Sequence, residues 1–582
     1  MKSRVFMLLS IALCLAGQPV LRVTTRLVQV SVVVRDKNGP VRGLTADDFT
    51  LLEKGKKRKI AVFSASSSSS ASSSASSSVS AVAAKTAAPG PGLVTNRPAA
   101  GETPSNVTVV LLDALNTDNK DQNYARQQLL RFLRQIRPED RVAVYTLGSQ
   151  LRVLNDFSSD AARLAATVAR YSGEVGFTNG ADAPLADNPV GIGSDKIVMD
   201  AIQNQARDMV SDYSIQIRAE KTAAALEAIA QHIGNIPGRK SLIWITSGFP
   251  FVIGLIGDGQ TNSEENAFDN NISGVTAAKK GSGMSQSTAL YGANDRDGNP
   301  ARDQKSFTPE ALRATRALND ANIAVYPIDA RGLTVMPKSM SVEQNYGLSH
   351  TQAVAPAKGM STILTGTTSM QTVAEATGGL VFNNGNDLQK AIRTAVDDGE
   401  ATYTLGFYAD AAELDSTFHS LKVQVRRKDV EVRFRKGWLA LPENAKQQAE
   451  SLHDALLSPL QAAGIGLTAG TEKGEKAGSL RIGVAIEPRD LALEQKDGKW
   501  AAALDLVFSQ RSAEGRELAV STTPLGLSLD RARYDTVMSD GLTLTKTVDL
   551  NSAASEIRVL VRDRATGRMG SLILPLSISP LK

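Results

Sequence analysis

Cysteine is almost missing from this chain: among 582 residues only Cys14 carries a thiol. It lies in the short apolar stretch from Phe6 to Ala16. If that stretch is cleaved away, disulfides, thiol catalysis and thiolate metal sites are excluded together. Histidine is nearly as scarce. His232, His350, His419 and His453 stand far apart in sequence, and none forms a His-Glu-x-x-His zinc pair. Aromatic residues make up 5%, too few to advertise a sugar- or base-stacking surface. An excess of one charge is also lacking, because 65 basic residues face 60 acidic ones along the whole length. That mixture builds no basic stripe, so no nucleic-acid partner is expected. The one dense basic run, Lys56-Lys57-Arg58-Lys59, follows Gly55 and reads as a solvated hairpin end.

Catalytic signatures are missing as well. No Gly-x-Ser-x-Gly elbow occurs, so a serine hydrolase lacks its usual start. Gly238-Arg239-Lys240-Ser241 lacks the glycine directly before lysine that a phosphate loop needs, and it leads into a strand rather than a helix. The paired carboxylates Asp397-Asp398 fall at a helix end, where solvation explains them. Nothing positive points to an enzyme, and an unrecognised hydrolase is the weakest of the readings that remain.

What is present begins with a leader. Lys2 and Arg4, the apolar Phe6–Ala16 stretch and the small residues Ala16-Gly17 give residues 1–17 the form of a secretory signal peptide. The apolar core is shorter than the roughly 20 residues that span a bilayer, and no later run is longer. An exported, periplasmic or extracellular protein with no transmembrane segment after cleavage is therefore expected.

Length allows several domains at about 100–200 residues each. Residues 21–63 form a small N-terminal β unit in which Val28 to Val34 alternates on a two-residue period. It is too short for its own core and should pair with strands from elsewhere. Residues 64–105 are rich in Ser and Ala, then Ala, Pro and Gly, and read as a linker. From 106 to 441 strands and helices alternate. Val107–Leu112 is an unbroken apolar run, Asn123–Ile136 carries a helical apolar face, and Arg141–Leu147, Ser241–Thr246 and Ile323–Ile328 are further strands. This order implies an α/β fold with a doubly wound, mostly parallel sheet. Long polar insertions interrupt it at Gly173–Asp195, Gly254–Ser306 and Thr334–Ser369, and loops of that length are commonly functional. Residues 442–477 read as a helical spacer. Residues 478–582, with turns at Asp497-Gly498, Glu514-Gly515, Asp540-Gly541 and Thr566-Gly567, read as an Ig-like β-sandwich.

Several segments together carry a family resemblance. They are Gly43-Leu44-Thr45-Ala46-Asp47-Asp48-Phe49, Leu111-Leu112-Asp113-Ala114-Leu115-Asn116-Thr117, Pro138-Glu139-Asp140-Arg141, Thr246-Ser247-Gly248, Tyr403-Thr404-Leu405-Gly406-Phe407-Tyr408 and Arg435-Lys436-Gly437-Trp438. The chain resembles the VWFA-related domain family of Acidobacteria, a branch of von Willebrand factor type A-like proteins, over about Leu21–Leu441. The resemblance implies a vWA/Rossmann-like centre in an exported protein. It also implies a metal-ion-dependent adhesion site, with an Asp-x-Ser-x-Ser loop, a Thr from a second loop and an Asp after a later strand. Here Asp113 matches, Leu115 replaces the first Ser, Thr117 stands for the second, Thr178 is the candidate loop threonine, and Ser247 occupies the place of the second carboxylate. One carboxylate and a few hydroxyls make a poor cage for Mg²⁺, so a degenerate site and no required cofactor are expected. The function expected is a protein-binding module with an unidentified protein partner. The alternative is a structural scaffold for envelope assembly.

Overall fold

The computed structural model describes residues 26–67, 93–97, 107–174, 194–236, 238–249, 308–332, 369–383, 385, 387–409, 413–415, 417–440, 445–496 and 498–576. The leader and Thr178 lie outside the described residues. In chain order, β1 (Arg26–Asp36), β2 (Gly39–Pro40), β3 (Phe49–Glu53), β4 (Lys56–Arg58) and β5 (Val62–Ser67) come first, followed by the short β6 (Leu93–Thr95). The centre holds β7 (Val107–Asp113), α1 (Asn119–Leu133), β8 (Arg141–Leu147), β9 (Leu151–Ser158), α2 (Ala161–Arg170) and α3 (Ser194–Ile233). It continues with β10 (Lys240–Thr246), α4 (Thr308–Asp320), β11 (Ile323–Asp329), a helical stretch over 369–377 and α5 (Leu388–Asp397).

The central sheet runs β11-β10-β7-β8-β9. Its first three pairings are parallel, and β9 returns antiparallel along β8. The apolar runs explain its burial: every residue of β7, β10 and β11 is buried, as strands covered on both faces require. On one face Leu111, Trp244 and Val325 pack against Leu226, Ile229 and Ile233 of α3 and Ala314 and Leu318 of α4. On the other, Val110, Ile243 and Ile328 meet Leu129 and Phe132 of α1, Leu164 of α2 and Ile392 of α5. Asp160 and Asp387 cap α2 and α5 by accepting the backbone N–H of Arg163 and Lys390.

Four further strands follow, β12 (Ala401–Ala409), β13 (Phe418–Val425), β14 (Glu431–Arg433) and β15 (Gly437–Leu439). They complete the N-terminal unit as two antiparallel sheets, β14-β1-β12-β5 with β2 beside β1, and β15-β13-β3-β4. Val30, Val32, Leu51, Tyr403, Leu405, Phe407 and Trp438 form their shared core. The small front unit thus finds its partners some 370 residues later, with Val32 opposite Tyr403.

After α6 (Ala445–Leu457) come β16 (Leu467–Lys473), β17 (Ser479–Ile486), β18 (Glu494–Lys496), β19 (Lys499–Arg511), β20 (Glu517–Leu529), α7 (Arg531–Asp540), β21 (Leu542–Asp549), β22 (Glu556–Asp563) and β23 (Met569–Pro575). Two antiparallel sheets, β21-β17-β16-β6 and β18-β19-β22-β23 with β20 beside β19, enclose Ile465, Ile482, Val484, Leu506, Phe508, Val559 and Leu572. β6 comes from the segment read as linker, and β16 from the one read as spacer. The Asp540-Gly541 signal closes α7 instead of a hairpin, with Gly541 at φ 85°.

These pairings correct the expected fold class. Among the described residues strand exceeds helix, four of the five sheets are antiparallel, and the fifth is mixed, so a doubly wound, mostly parallel α/β sheet does not describe the chain. The β/α alternation of the centre hid two facts. β9 folds straight back after Gly148-Ser149-Gln150, and β12–β15 belong to the front unit's antiparallel sheets.

A second correction concerns Asp398. It is not a solvated helix end. Its side chain is 0% exposed, and it binds Arg35 of β1 at 3.0 Å and Arg433 of β14 at 2.7 Å. The Tyr326 hydroxyl of β11 donates to it at 3.1 Å and in turn accepts from Arg239 at 3.1 Å. Burial pushes the Tyr326 hydroxyl up to about 12, so it stays a donor. One carboxylate thereby ties the front unit to the central sheet. Truncation in Asp398→Ala leaves two guanidinium groups without their shared anion, at a cost of about 3–5 kcal/mol. Urea unfolding is expected to show that loss, and a change under 1 kcal/mol would contradict the clamp.

Candidate functional site

Asp113 ends β7 at the C-terminal edge of the parallel strands and is 2% exposed. Its Oδ1 accepts the backbone N–H of Asn116 at 3.0 Å. Its Oδ2 accepts Asn116 Nδ2 at 2.9 Å and the Trp244 indole N–H at 3.0 Å. Burial pushes this carboxyl up, and the hydrogen bonds from Asn116, Thr246 and Trp244 oppose that push. Asn116 is fully employed. Its second amide hydrogen reaches Thr222 Oγ1 at 3.0 Å, and its Oδ1 accepts Arg218 Nε at 2.9 Å, both from α3. The Trp244 ring lies 4.3 Å from Phe249 at 10° between planes, which fixes the indole that serves Asp113.

Thr117 and Ser247 do come together beside Asp113. The backbone N–H of Ser247 donates to Thr117 Oγ1 at 3.1 Å, while the Ser247 hydroxyl is buried without a hydrogen-bond partner among the described residues. Gln122 of α1 ties the loop down, donating to Thr117 O at 2.8 Å and Glu174 O at 3.0 Å. Glu174 accepts the Ser149 N–H at 3.1 Å, and its carboxylate fills the space where a side chain at position 148 would stand, which explains Gly148. A depression of about 240 Å³, open to solvent, is lined by Leu112, Asp113, Thr117, Gln122, Tyr171 and Ile245.

A Mg²⁺ ion wants oxygen ligands in near-octahedral order with their lone pairs turned toward it. Here the positive ends of two N–H groups already point at Asp113 Oδ2, and a third points at Oδ1. The donor set does not fit a cation. It is a closed hydrogen-bond hub joining β7, β10 and α3. Among the described residues no group of three or more His, Asp or Glu side chains is arranged to hold a metal.

The sequence motifs do not single out Trp244, Arg218 or Thr222. A signal existed for Trp244, since an indole N–H inside a wholly apolar strand needs an acceptor. A second cluster lies in the front unit. Glu53 accepts from Trp438 Nε1 at 2.8 Å and meets His419 Nδ1 at 2.7 Å, while His419 Nε2 lies 3.1 Å from Asp415. Arg58 spans Glu53 and Glu413, and the Thr417 hydroxyl helps hold the Asp415 carboxyl well below its usual range. The order Glu–His–Asp resembles a proton relay, but His419 is buried and the hydroxyl nearest the cluster, that of Thr417, is committed to Asp415 at 2.7 Å.

No family model matches the chain, and no curated protein matches it. The solved structures that resemble it include a bacterial membrane protein, a conserved protein of unassigned role and a pilus adhesin. They are an aerotolerance-related membrane protein from Bacteroides fragilis (11% identity, 50% of this chain, 98% of that one, TM-score 0.23), BatB from Bacteroides thetaiotaomicron (10%, 50%, 97%, 0.22) and SpaC from Lactobacillus rhamnosus GG (8%, 81%, 57%, 0.26). Likeness at this level shows no family, and the VWFA-related resemblance accordingly rests on the sequence motifs.

Asp113→Ala strands the indole N–H and the Asn116 amide inside the protein. Leaving buried donors unpaired costs about 1–3 kcal/mol each, so a loss of about 2–4 kcal/mol in denaturant unfolding is expected. A near-neutral variant would mean that the hub does not support the sheet edge.

Proposed function

We propose that the chain is an exported, non-catalytic protein-binding module whose contact surface is the C-terminal edge of the central sheet. One observation carries this reading: the described chain breaks off at that edge ahead of each of the three long sequence insertions, past Glu174, Phe249 and Gly332. The described chain breaks off after Glu174, at the top of the α2 turn beside Gln122, and resumes at the start of α3. It breaks off again past Phe249, just beyond β10, resuming at the start of α4. It does so a third time past Gly332, just beyond β11, and resumes at residue 369. α4 feeds the N-terminal end of β11 and so begins at the opposite, C-terminal edge, whereas α3 crosses that edge at Arg218 and Thr222, which meet Asn116, and extends well past it toward Ser194. In open sheets with parallel strands, ligands are met outside the carboxyl ends of those strands.

The Asp113 hub fits this role as a fixed base beneath the edge. Its acceptors are consumed internally, so it offers rigidity in place of an ion or a reacting group. The wider depression elsewhere, about 510 Å³ between α4 and the front unit, is lined by residues such as Leu27, Arg316, Asp320, Phe418, Arg435 and Trp438. No cofactor is needed for this reading. Among the described residues no helix is long and apolar enough to cross a membrane.

Replacing 175–213, 250–307 and 333–368 by short Gly/Ser connections is expected to preserve the melting of the chain and to abolish its retention on envelope or extracellular material. Undiminished retention would favour the scaffold reading, with the sandwich making the contacts. Titration calorimetry with Mg²⁺, Mn²⁺ and Ca²⁺ is expected to show no micromolar site. Such a site, lost in Asp113→Ala, would overturn the closed hub.

A further inference from the structure

One guanidinium holds three carboxylates where α3, α4 and α6 meet. Arg313 of α4 donates through Nε to Glu227 of α3 at 2.7 Å, through Nη1 to Glu450 of α6 at 2.7 Å and through Nη2 to Asp454 of α6 at 3.1 Å. Every face of the fork is used, and the cluster carries two more negative charges than positive ones when all three acids are ionised. Glu220 of α3 and His453 of α6 also face it electrostatically. Glu227 is buried, at 2% exposure.

What α6 carries with it makes this cluster more than a local pair. The buried Arg558 of β22 donates to Ala455 O at 3.2 Å, to Leu456 O at 2.9 Å and to Ser458 O, capping the carbonyl end of α6. The strap that follows is sewn to both sides. Ala463 N–H donates to Gln231 O at 2.9 Å at the end of α3, and His232 Nδ1 meets Gln461 O at 2.7 Å. On the other side Ala462 N–H donates to Ser571 Oγ and Ser571 N–H to Ala462 O, both at 2.8 Å, on β23. α6 and its strap are thus the coupling between the C-terminal sandwich and the α3–α4 pair.

We propose that the Glu227–Arg313–Glu450–Asp454 cluster is an acid-tightened latch: the docking of α6, and with it the sandwich, onto α3 and α4 strengthens as pH falls through the mildly acidic range. Burial, opposed by Arg313 and reinforced by Asp454 and Glu450, pushes the Glu227 carboxyl from 4.5 up to about 7. Burial pushes Asp454 up in the same direction. An undocked Glu227 returns to water and to its ordinary value. Between 4.5 and about 7 the docked state therefore holds a proton that the undocked state lacks. Docking takes up that proton, so it is fully supported below the lower value and loses the support as pH rises through the upper one.

Hydrogen–deuterium exchange of the full chain between pH 5 and 8, corrected for intrinsic chemistry, tests this. Protection of 445–466 is expected to rise on acidification by up to about tenfold per pH unit, the limit for one proton. Protection of β7 is expected to change less. In Glu227→Gln the slope for 445–466 is expected to collapse. If that variant fails to fold, Asp454→Asn is expected to reduce the slope. A flat profile in the native chain, the same slope in β7 as in α6, or an unaltered slope in the folded variants overturns the latch.

Discussion

Asp398 is the interaction on which the front half of the molecule depends. A carboxylate with no solvent contact is stable only if its charge is matched, and here Arg35 and Arg433 match it from two strands of one sheet while Tyr326 reaches it from another. The arginines lie at the ends of β1 and β14, and the acceptor follows the last turn of α5. An anion at a helix C-terminus is disfavoured by the helix dipole. The two cations reverse that sign locally. Ser31 adds a hydroxyl contact to Asn322 at 2.6 Å, and Asn322 adopts φ 56° just before β11. The front unit therefore sits on the central sheet in one register.

A similar economy recurs at the other joints. In each place one polar side chain satisfies several groups at once. Arg313 serves three carboxylates, Arg558 three carbonyls, and Asn116 joins a strand end to a helix. Lys240, buried at the foot of β10, donates to the carbonyls of Ile236 and Gly238, and its burial pushes the amine down to about 7. The apolar cores make the separate layers; these buried polar contacts decide how the layers meet.

Local pattern made much of the centre legible. The apolar run of β7 was visible because a strand buried on both faces has no polar position to spare. Asp160 and Asp387 are capping residue types, and in the structure each caps its helix. What stayed hidden was non-local. Nothing near Leu93 announces a partner at Gly470, and nothing near Val32 announces Tyr403. α3 runs on to Ser194 through mixed polar residues that carry no apolar stripe. At the site, the Ser247 N–H donates to Thr117 beside Asp113, while Thr178 lies outside the described residues. The expected degenerate site followed from Leu115 and Ser247 alone; the donors that close Asp113 into a hub, Asn116 after β7 and Trp244 of β10, follow no local metal-site pattern.

The pairing of β1 with β12 has a consequence for the history of each molecule. A strand made near the start of synthesis must wait for one made some 370 residues later. At about 5–20 residues per second, that interval is roughly 20–75 seconds. During it, a valine-rich strand has only the short β2 as a native partner at its end, and the central sheet is made inside the same gap. Closure of the front unit is thus a late, high-contact-order event, slow by topology. The chain is most exposed to misassembly while its first strand is already finished.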